Sequence, residues 1–339
     1  MKARIIGLTM AALWAMAVPV QARDQIRIAS SSTVYPFAAT VAEHFGKTSG
    51  FKAPVIESTG SGGGLKLFCA SVDQESPDIA SASRRITDSE IKACAANGVT
   101  DIAEITIGYD GIVVANAKPG SRFELTRREL FLAIAKSVPV EGRLVPNPYR
   151  KWDEINPALP HEDIMVFGPA PNHGTRDVLD ALVMEAACRS FPEIGRLDPK
   201  AEKQACEAMR EDGAFIEVSE NYTITLRKLL AEPRAVGILP FSYLDQNGDK
   251  IKAASLEGQV PSYDNIYTAK YPLSRPLYIY VKKAHLGVTA GIRQYLAEFT
   301  SEKAWGKDGY LAEKGLIALP DAERKIEAAK AAALPNLNF

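Results

Sequence analysis

Along nearly the whole chain, short segments rich in Ile and Val alternate with segments of helical character, and this alternation narrows the possible folds more than any other feature. The order is "QIRIAS", a helix-like stretch over 36–49, "APVIES", residues 64–72, "DIASAS", residues 87–96, then the long strand-like run "DIAEITIGYDGIVVANA". Strand and helix in turn imply parallel strands joined by crossover helices, hence an α/β fold whose sheet is covered on both faces. A second series begins near residue 124, with helices at "TRRELFLAIA", "TRDVLDALVMEAAC", 200–210 and "NYTITLRKLLAE" and strands at "IMVFGPA" and "AVGILPFSYL". Two series predict two sheets, one in each of two lobes.

No Gly/Ser-rich tether separates the series. They are joined by long strand-like segments around 105–115 and 274–282, which predicts a two-strand hinge and a cleft between lobes at the C-terminal ends of the strands. The expected division is 1–22 as a leader, 23–110 with 281–339 as the first lobe, and 111–280 as the second. After the strand "RPLYIYVKK", Ile292, Tyr295, Leu296 and Phe299 recur at helical spacing and predict a helix buttressing one lobe. The Ala- and Lys-rich tail from about 321 predicts a last amphipathic helix.

The first 22 residues carry Lys2 and Arg4, an apolar run from Ile5 to Val18 and a V-Q-A ending, the pattern of a cleaved secretory signal. The alternative is a membrane anchor, although the apolar run is shorter than the roughly 20 residues that span a bilayer. With no Cys after the cleavage site, no lipid tether is expected, and the mature protein is expected in a periplasm. Lys and Arg number 40 against 41 Asp and Glu, a net charge of -1 that gives no footprint for nucleic acid. Cys69, Cys94, Cys188 and Cys206 are an even set suited to an oxidising compartment. Sequence neighbours suggest Cys69 with Cys94 and Cys188 with Cys206; four buried thiols are the alternative. There is no C-x-x-C, and the four histidines are scattered, so neither a zinc site nor any other cofactor is expected.

Four polar loops stand at strand ends. In "ASSSTVYPF", Ser31, Ser32 and Thr33 precede Pro36, which opens a helix. In "ESTGSGGGLKLFCA", glycines after Ser61 let successive amides turn to one point, where a helix starting near Gly63 adds its dipole. This is not a phosphate-binding P-loop, because no G-x-x-x-x-G-K-[ST] is present. "SPDIASASRRITDSE" ends a strand with Ser81 and Ser83, followed by Arg84 and Arg85, which serve either the cleft or a solvated face. "GPAPNHGTRDVLDALV" sets Asn172, His173, Gly174 and Thr175 at a helix start, with Arg176 next, for either anion binding or ordinary capping. Neutral hydroxyls and amides gathered in this way can replace the water shell of one small oxyanion, each charge-assisted bond contributing roughly 1.5–3 kcal/mol.

The stretches "SSSTVYPF", "STGSGGGLKLF", "PDIASASRRIT", "YDGIVV", "HGTRD", "VGILPFSYL" and "YPLSRPLYIYV" together resemble the PstS family, the phosphate-binding component of ABC transporters among the type II periplasmic binding proteins. The resemblance runs in order over nearly the whole mature chain. It implies two lobes that close on dehydrated phosphate and deliver it, as a monomer, to an inner-membrane ABC permease. Carried over by position, it implies ligand contacts at Thr33, Val34, Ser61, Ser83, Arg84, His173, Gly174 and Thr175, to which the reading of the loops themselves adds Ser32, Gly62 and Arg176. Two positions depart from the pattern: His173 stands where the family has Ser, and Ser83 where some members have an acceptor Asp. The Arg that some members place before the Ser-Gly-Thr falls near Pro169.

A binding protein without chemistry is therefore the leading expectation. The rivals are a phosphate-ester hydrolase and a sensor or adhesion module that keeps the fold without transport. S-x-x-K occurs at Ser89–Lys92 without its partner motifs, "HEDIM" from His161 lacks a second His, and no His/Asp pair accompanies a nucleophilic serine.

Overall fold

The computed structural model describes residues 23–171, 174–218 and 222–337. The expected leader, together with Asn172 and His173, lies outside the described residues. Four strands build the first half: β1 Arg27–Ser30, β2 Val55–Ser58, β3 Ile79–Ala82 and the sixteen-residue β4 Ile102–Ala117. The second half adds β5 Val166–Pro169, β6 Phe215–Val218 and β7 Val236–Pro240, and β8 Ser274–Lys282 returns to the first.

The two expected sheets are two halves of one hydrogen-bonded path. Among the described residues the order is β2-β1-β3-β8-β4-β7-β5-β6, and the short strand Ile251–Ala253 also pairs with β4. β1, β2 and β3 are mutually parallel, as are β5, β6 and β7. The joint is β4, long enough to pair with β8 over Ile102–Gly111 and with β7 over Ile112–Ala115. Sixteen residues at about 3.3 Å each span roughly 50 Å, enough to serve both halves.

Two large apolar cores follow from this. One draws on residues between Ile26 and Ile107 and between Leu277 and Leu334, the other on residues between Ile112 and Leu273, and a smaller third cluster that includes Leu65, Phe68, Val99 and Tyr280 adjoins the disulfide of Cys69 and Cys94. The changeover falls within β4 between Ile107 and Ile112, and between Leu273 and Leu277 at the start of β8. The segment around Ile317 crosses as well, because Leu316 packs in the first core and Ile317 in the second. Its backbone pairs with Tyr109 in both directions, at 2.8 and 2.9 Å, and the Tyr267 hydroxyl donates to the Ala318 carbonyl at 2.9 Å. The buttress helix is present as Ile292–Phe299, with all four periodic side chains buried, and the tail helix as Asp321–Ala333.

Local chemistry fixes the helices that matter for the cleft. Helix α1, Tyr35–Thr48, has Pro36 in its first turn, where a missing amide hydrogen costs nothing. Helix α2, Ser61–Phe68, begins two residues before the position the glycine run suggests. The sharp turn is taken by Gly60 at φ +72°, a left-handed value favoured by glycine, so the following glycines are helical and not a loop. Helix α3, Asp88–Ala96, opens with a capping box in which Thr87 and Glu90 satisfy each other's backbone amides. Disulfides join Cys69 to Cys94 and Cys188 to Cys206, the first tying the end of α2 to α3. The predicted 175–188 helix is continuous from Gly174, but its middle, Asp180–Glu185, is π-helical, which no sequence signal foretold.

Candidate functional site

Strand register defines where the cleft lies. β3 runs parallel to β4 in space, through their shared antiparallel neighbour β8, and its last residue Ala82 lies opposite Tyr278, which faces Thr106. β7 runs the opposite way, and its last residue Pro240 lies opposite Ile112. The C-terminal tips of both parallel sets therefore point at one another across the segment 107–111 of β4. The tips are separated by about 20 Å of strand, at roughly 3.3 Å per residue. The loops leaving these tips are the polar loops singled out from sequence, with the exception that nothing is described for Asn172 and His173.

In the first half, the opening serines divide their roles. Ser81 Oγ donates to Ser30 Oγ at 2.7 Å and Ser30 Oγ to the Ser31 carbonyl at 2.9 Å, a buried chain that holds β1 to β3. Ser31 Oγ accepts the Val34 amide at 3.1 Å, so this amide already has a partner. Ser32 is half-buried, and Thr33 turns toward the crossing strands. Ser61 and Ser83 are brought together: their hydroxyls are 3.1 Å apart, and the Ser83 amide donates to Ser61 Oγ at 3.0 Å. Beside them, the first-turn amides of α2 at Ser61, Gly62 and Gly63 have no acceptor within the helix by its geometry. A Cβ on Gly62 would lie 3.6 Å from Arg84 Nη2. The Arg84 guanidinium, however, is bidentate to Glu90 at 2.8 and 2.7 Å.

In the second half, Gly174 starts a helix at the tip of β5, and Thr175 is buried with its hydroxyl bonded to Tyr222 Oη. Arg176 is buried with its charge met inside its own half, by Asp180 at 2.9 Å and Glu217 at 3.2 Å. Burial pushes the Asp180 carboxyl up to about 6, against the pull of Arg176.

Between the tips stands a pair that sequence reasoning did not single out. Asp110 of β4 and Arg275 of β8 are register partners, with Arg275 Nε 3.9 Å from Asp110 Oδ2. Arg275 Nη2 donates to Thr33 Oγ1 at 2.6 Å. Arg275 Nε and Asp110 Oδ2 are both buried, and among the described residues neither has a hydrogen-bond partner. Burial pushes the Asp110 carboxyl up to about 6, opposed by Arg275 and reinforced by Asp177 from the helix that starts at Gly174. Burial likewise holds the Arg275 guanidinium below its usual range, opposed by Asp110 and Asp177. The available signal was an Asp and an Arg within the two predicted hinge strands, weak because those strands also carry Glu104 and Lys282; Tyr222, the partner of Thr175, carried none.

Elsewhere, Ser89 of the S-x-x-K match lies in the first turn of α3, 3.0 Å from Thr87 Oγ1, and His161 pairs on the surface with Asp153 at 2.6 Å. Ser89 thus closes the 76–90 stretch by capping contacts, and His161 makes no hydrogen bond to a cleft loop among the described residues. No helix among the described residues is long and apolar enough to cross a membrane.

Two α/β halves joined by crossing strands, with polar strand-tip loops facing across the joint, define a two-lobed ligand-binding protein. Residues 18–303 match the PBP superfamily domain, and the chain belongs to that superfamily. It is 27% identical over 297 residues to the protein SphX of Synechococcus elongatus, covering 86% of this chain and 76% of the relative. It is 26% identical over 296 residues to the phosphate-binding protein PstS of Staphylococcus saprophyticus, covering 86% and 79%. Among solved structures it resembles a possible phosphate-binding protein from Planctomyces limnophilus, with 26% identity, a TM-score of 0.73, and 91% and 99% of the two chains covered.

Proposed function

We propose that the protein captures inorganic phosphate, a small tetrahedral oxyanion, between its lobes outside the cytoplasm, and hands it to an inner-membrane ABC permease without doing chemistry on it. The observation that carries this reading is the convergence of strand tips from both halves on the segment 107–111, lined by the Ser61–Ser83 pair and by Thr33 beside a buried Arg–Asp pair. The relatives named for phosphate binding support the choice of ligand. The ligand-facing set is Ser32, Thr33, Val34, Ser61, Gly62, Ser83 and Arg84 from one lobe, with His173, Gly174, Thr175 and Arg176 from the other. The lobes are 23–110 with 281–339, and 111–280; the exchange of apolar cores between Ile107 and Ile112 supports the first boundary, and their exchange between Leu273 and Leu277 lies a few residues before the second. Residues 1–22 act as a cleaved export signal, with no lipid anchor, and the mature protein works as a monomer.

Calorimetric titration of phosphate-stripped protein with phosphate, arsenate and sulfate tests the reading. One phosphate per chain is expected, with arsenate competing and no turnover of para-nitrophenyl phosphate. Absence of heat with all three anions, or steady hydrolysis of the ester, would remove it.

A further inference from the structure

Besides Arg85, which pairs on the surface with Glu104, three arginines stand near the strand tips, and their surroundings differ. Arg84 is spent on Glu90 through both terminal nitrogens, and Arg176 on Asp180 and Glu217. Both pairs lie within a single half of the molecule. Arg275 is different on each count. It sits on the crossing strand, level with the gap between the two sets of tips. Its hydrogen bond among the described residues is to a hydroxyl, Thr33 Oγ1, and its carboxylate neighbour Asp110 stays at 3.9 Å, too far for a hydrogen bond to Nε. The Nε atom is buried and has no hydrogen-bond partner among the described residues.

A buried guanidinium with an unfilled donor is expensive unless something else supplies the acceptor. Thr33 adds to the argument. Because its oxygen accepts from Arg275, its own hydroxyl hydrogen is directed elsewhere and can donate. Guanidinium and hydroxyl thus form a donor pair fixed by a 2.6 Å bond, at a point reachable from both lobes.

We propose that Arg275, coupled to Thr33, is the residue that sets a positive charge against the bound oxyanion, in place of Arg84 or Arg176. This deepens the reading of the cleft as an oxyanion site and rests on it. The charge comes from the hinge, so it is present before either lobe closes and belongs to neither.

Phosphate affinity of Arg275→Gln, Arg275→Lys, Arg84→Gln, Arg176→Gln and Arg85→Gln, measured by calorimetry alongside ligand-free unfolding midpoints, tests it. Arg275→Gln is expected to weaken binding about 10- to 150-fold, the range of one lost charge-assisted bond. Arg275→Lys keeps the charge and recovers a large part of that loss, which a purely structural role for the planar group would not allow. Arg84→Gln and Arg176→Gln lose less than Arg275→Gln, and Arg85→Gln, paired on the surface with Glu104, is unchanged. Wild-type affinity in Arg275→Gln, or an equal loss in Arg84→Gln, overturns the assignment. If the wild type takes up no oxyanion, the underlying reading falls and this inference with it; wild-type binding with Arg275→Gln unaffected overturns this inference alone.

Discussion

The two ends of β3 hold buried carboxylates in opposite conditions. At its N-terminal end Asp78 is fully engaged: Oδ2 accepts the Arg27 amide at 2.7 Å and pairs with Arg23, while Oδ1 meets Thr289 Oγ1 and His285 Nδ1, each at 2.8 Å. His285 reaches on to the Val72 carbonyl at 3.0 Å, and nearby Lys282 is held by the Ser71 carbonyl and Ser76 Oγ, both at 2.6 Å. Beyond the C-terminal end, on β4, Asp110 has an oxygen with no donor among the described residues and a guanidinium kept at arm's length. Both sites are charged and buried, and each holds an arginine whose Nε has no partner among the described residues, Arg23 at one and Arg275 at the other; the difference lies in the carboxylates, since Asp78 has both oxygens met and Asp110 Oδ2 has no donor. A carboxylate with both oxygens met serves the fold, whereas an unmet carboxylate oxygen and guanidinium nitrogen beside neutral hydroxyls, at the strand tips, are capacity for a ligand.

The contrast is most severely tested at Asp78. Asp78→Ala leaves Arg23 and His285 without their carboxylate, and a loss of about 3–5 kcal/mol is expected, the range for breaking a buried pair. Urea unfolding would measure it, while phosphate affinity of the folded protein stays near wild type; a loss of binding in well-folded Asp78→Ala would blur the distinction between the two ends.

Asp110→Asn should act with the opposite sign and depend on pH. The folded-state carboxyl titrates at about 6 against an ordinary value of 3.8, so the protonated form is favoured on folding. Its stabilising contribution is complete below about pH 4 and is lost as pH rises through about 6. The asparagine variant should therefore unfold later than wild type at pH 8, by about 1–3 kcal/mol after allowing for the lost attraction to Arg275, with the gap closing at pH 4. Equal stability of the two proteins across that range would mean that Asp110 is not held out of water.

Smaller again is Ser61→Ala, which strands the Ser83 amide. About 1 kcal/mol of stability and roughly tenfold in phosphate affinity are expected to go. At the bottom of the scale, Glu75→Gln removes the exposed partner of Arg27, and less than about 0.5 kcal/mol should change, since such pairs are screened. A larger effect there would show that the Asp78 cluster extends to the surface.

What was legible from sequence was whatever repeats locally. Strand and helix alternation, the buried face of Ile292–Phe299, and the pairing of cysteines 25 and 18 residues apart all depend on near neighbours, and the structure agrees with each. The polar strand ends were legible for the same reason, and Ser61 with Ser83 do meet. The glycine run misled because glycine signals a loop, yet a single residue, Gly60, takes the turn and the others continue as helix. The single sheet path was hidden because β4 serves both halves, and strand length alone does not reveal its partners. Asp110 with Arg275, and Asp78 with His285, are 165 and 207 residues apart, and neither pair forms a motif. Such contacts exist only once the chain is folded.

The joint carries one further consequence. At Gly108, φ is +145°, and a Cβ there would come 2.8 Å from both the Ile317 carbonyl oxygen and a Leu316 methyl, so only a residue without a side chain admits the C-terminal segment that bonds to Tyr109. That segment is also tied to Tyr267 of the other half. The halves are therefore tied at three places rather than two, by β4, by β8 and by the segment at 316–318, so the joint is more than the pair of strands expected from sequence.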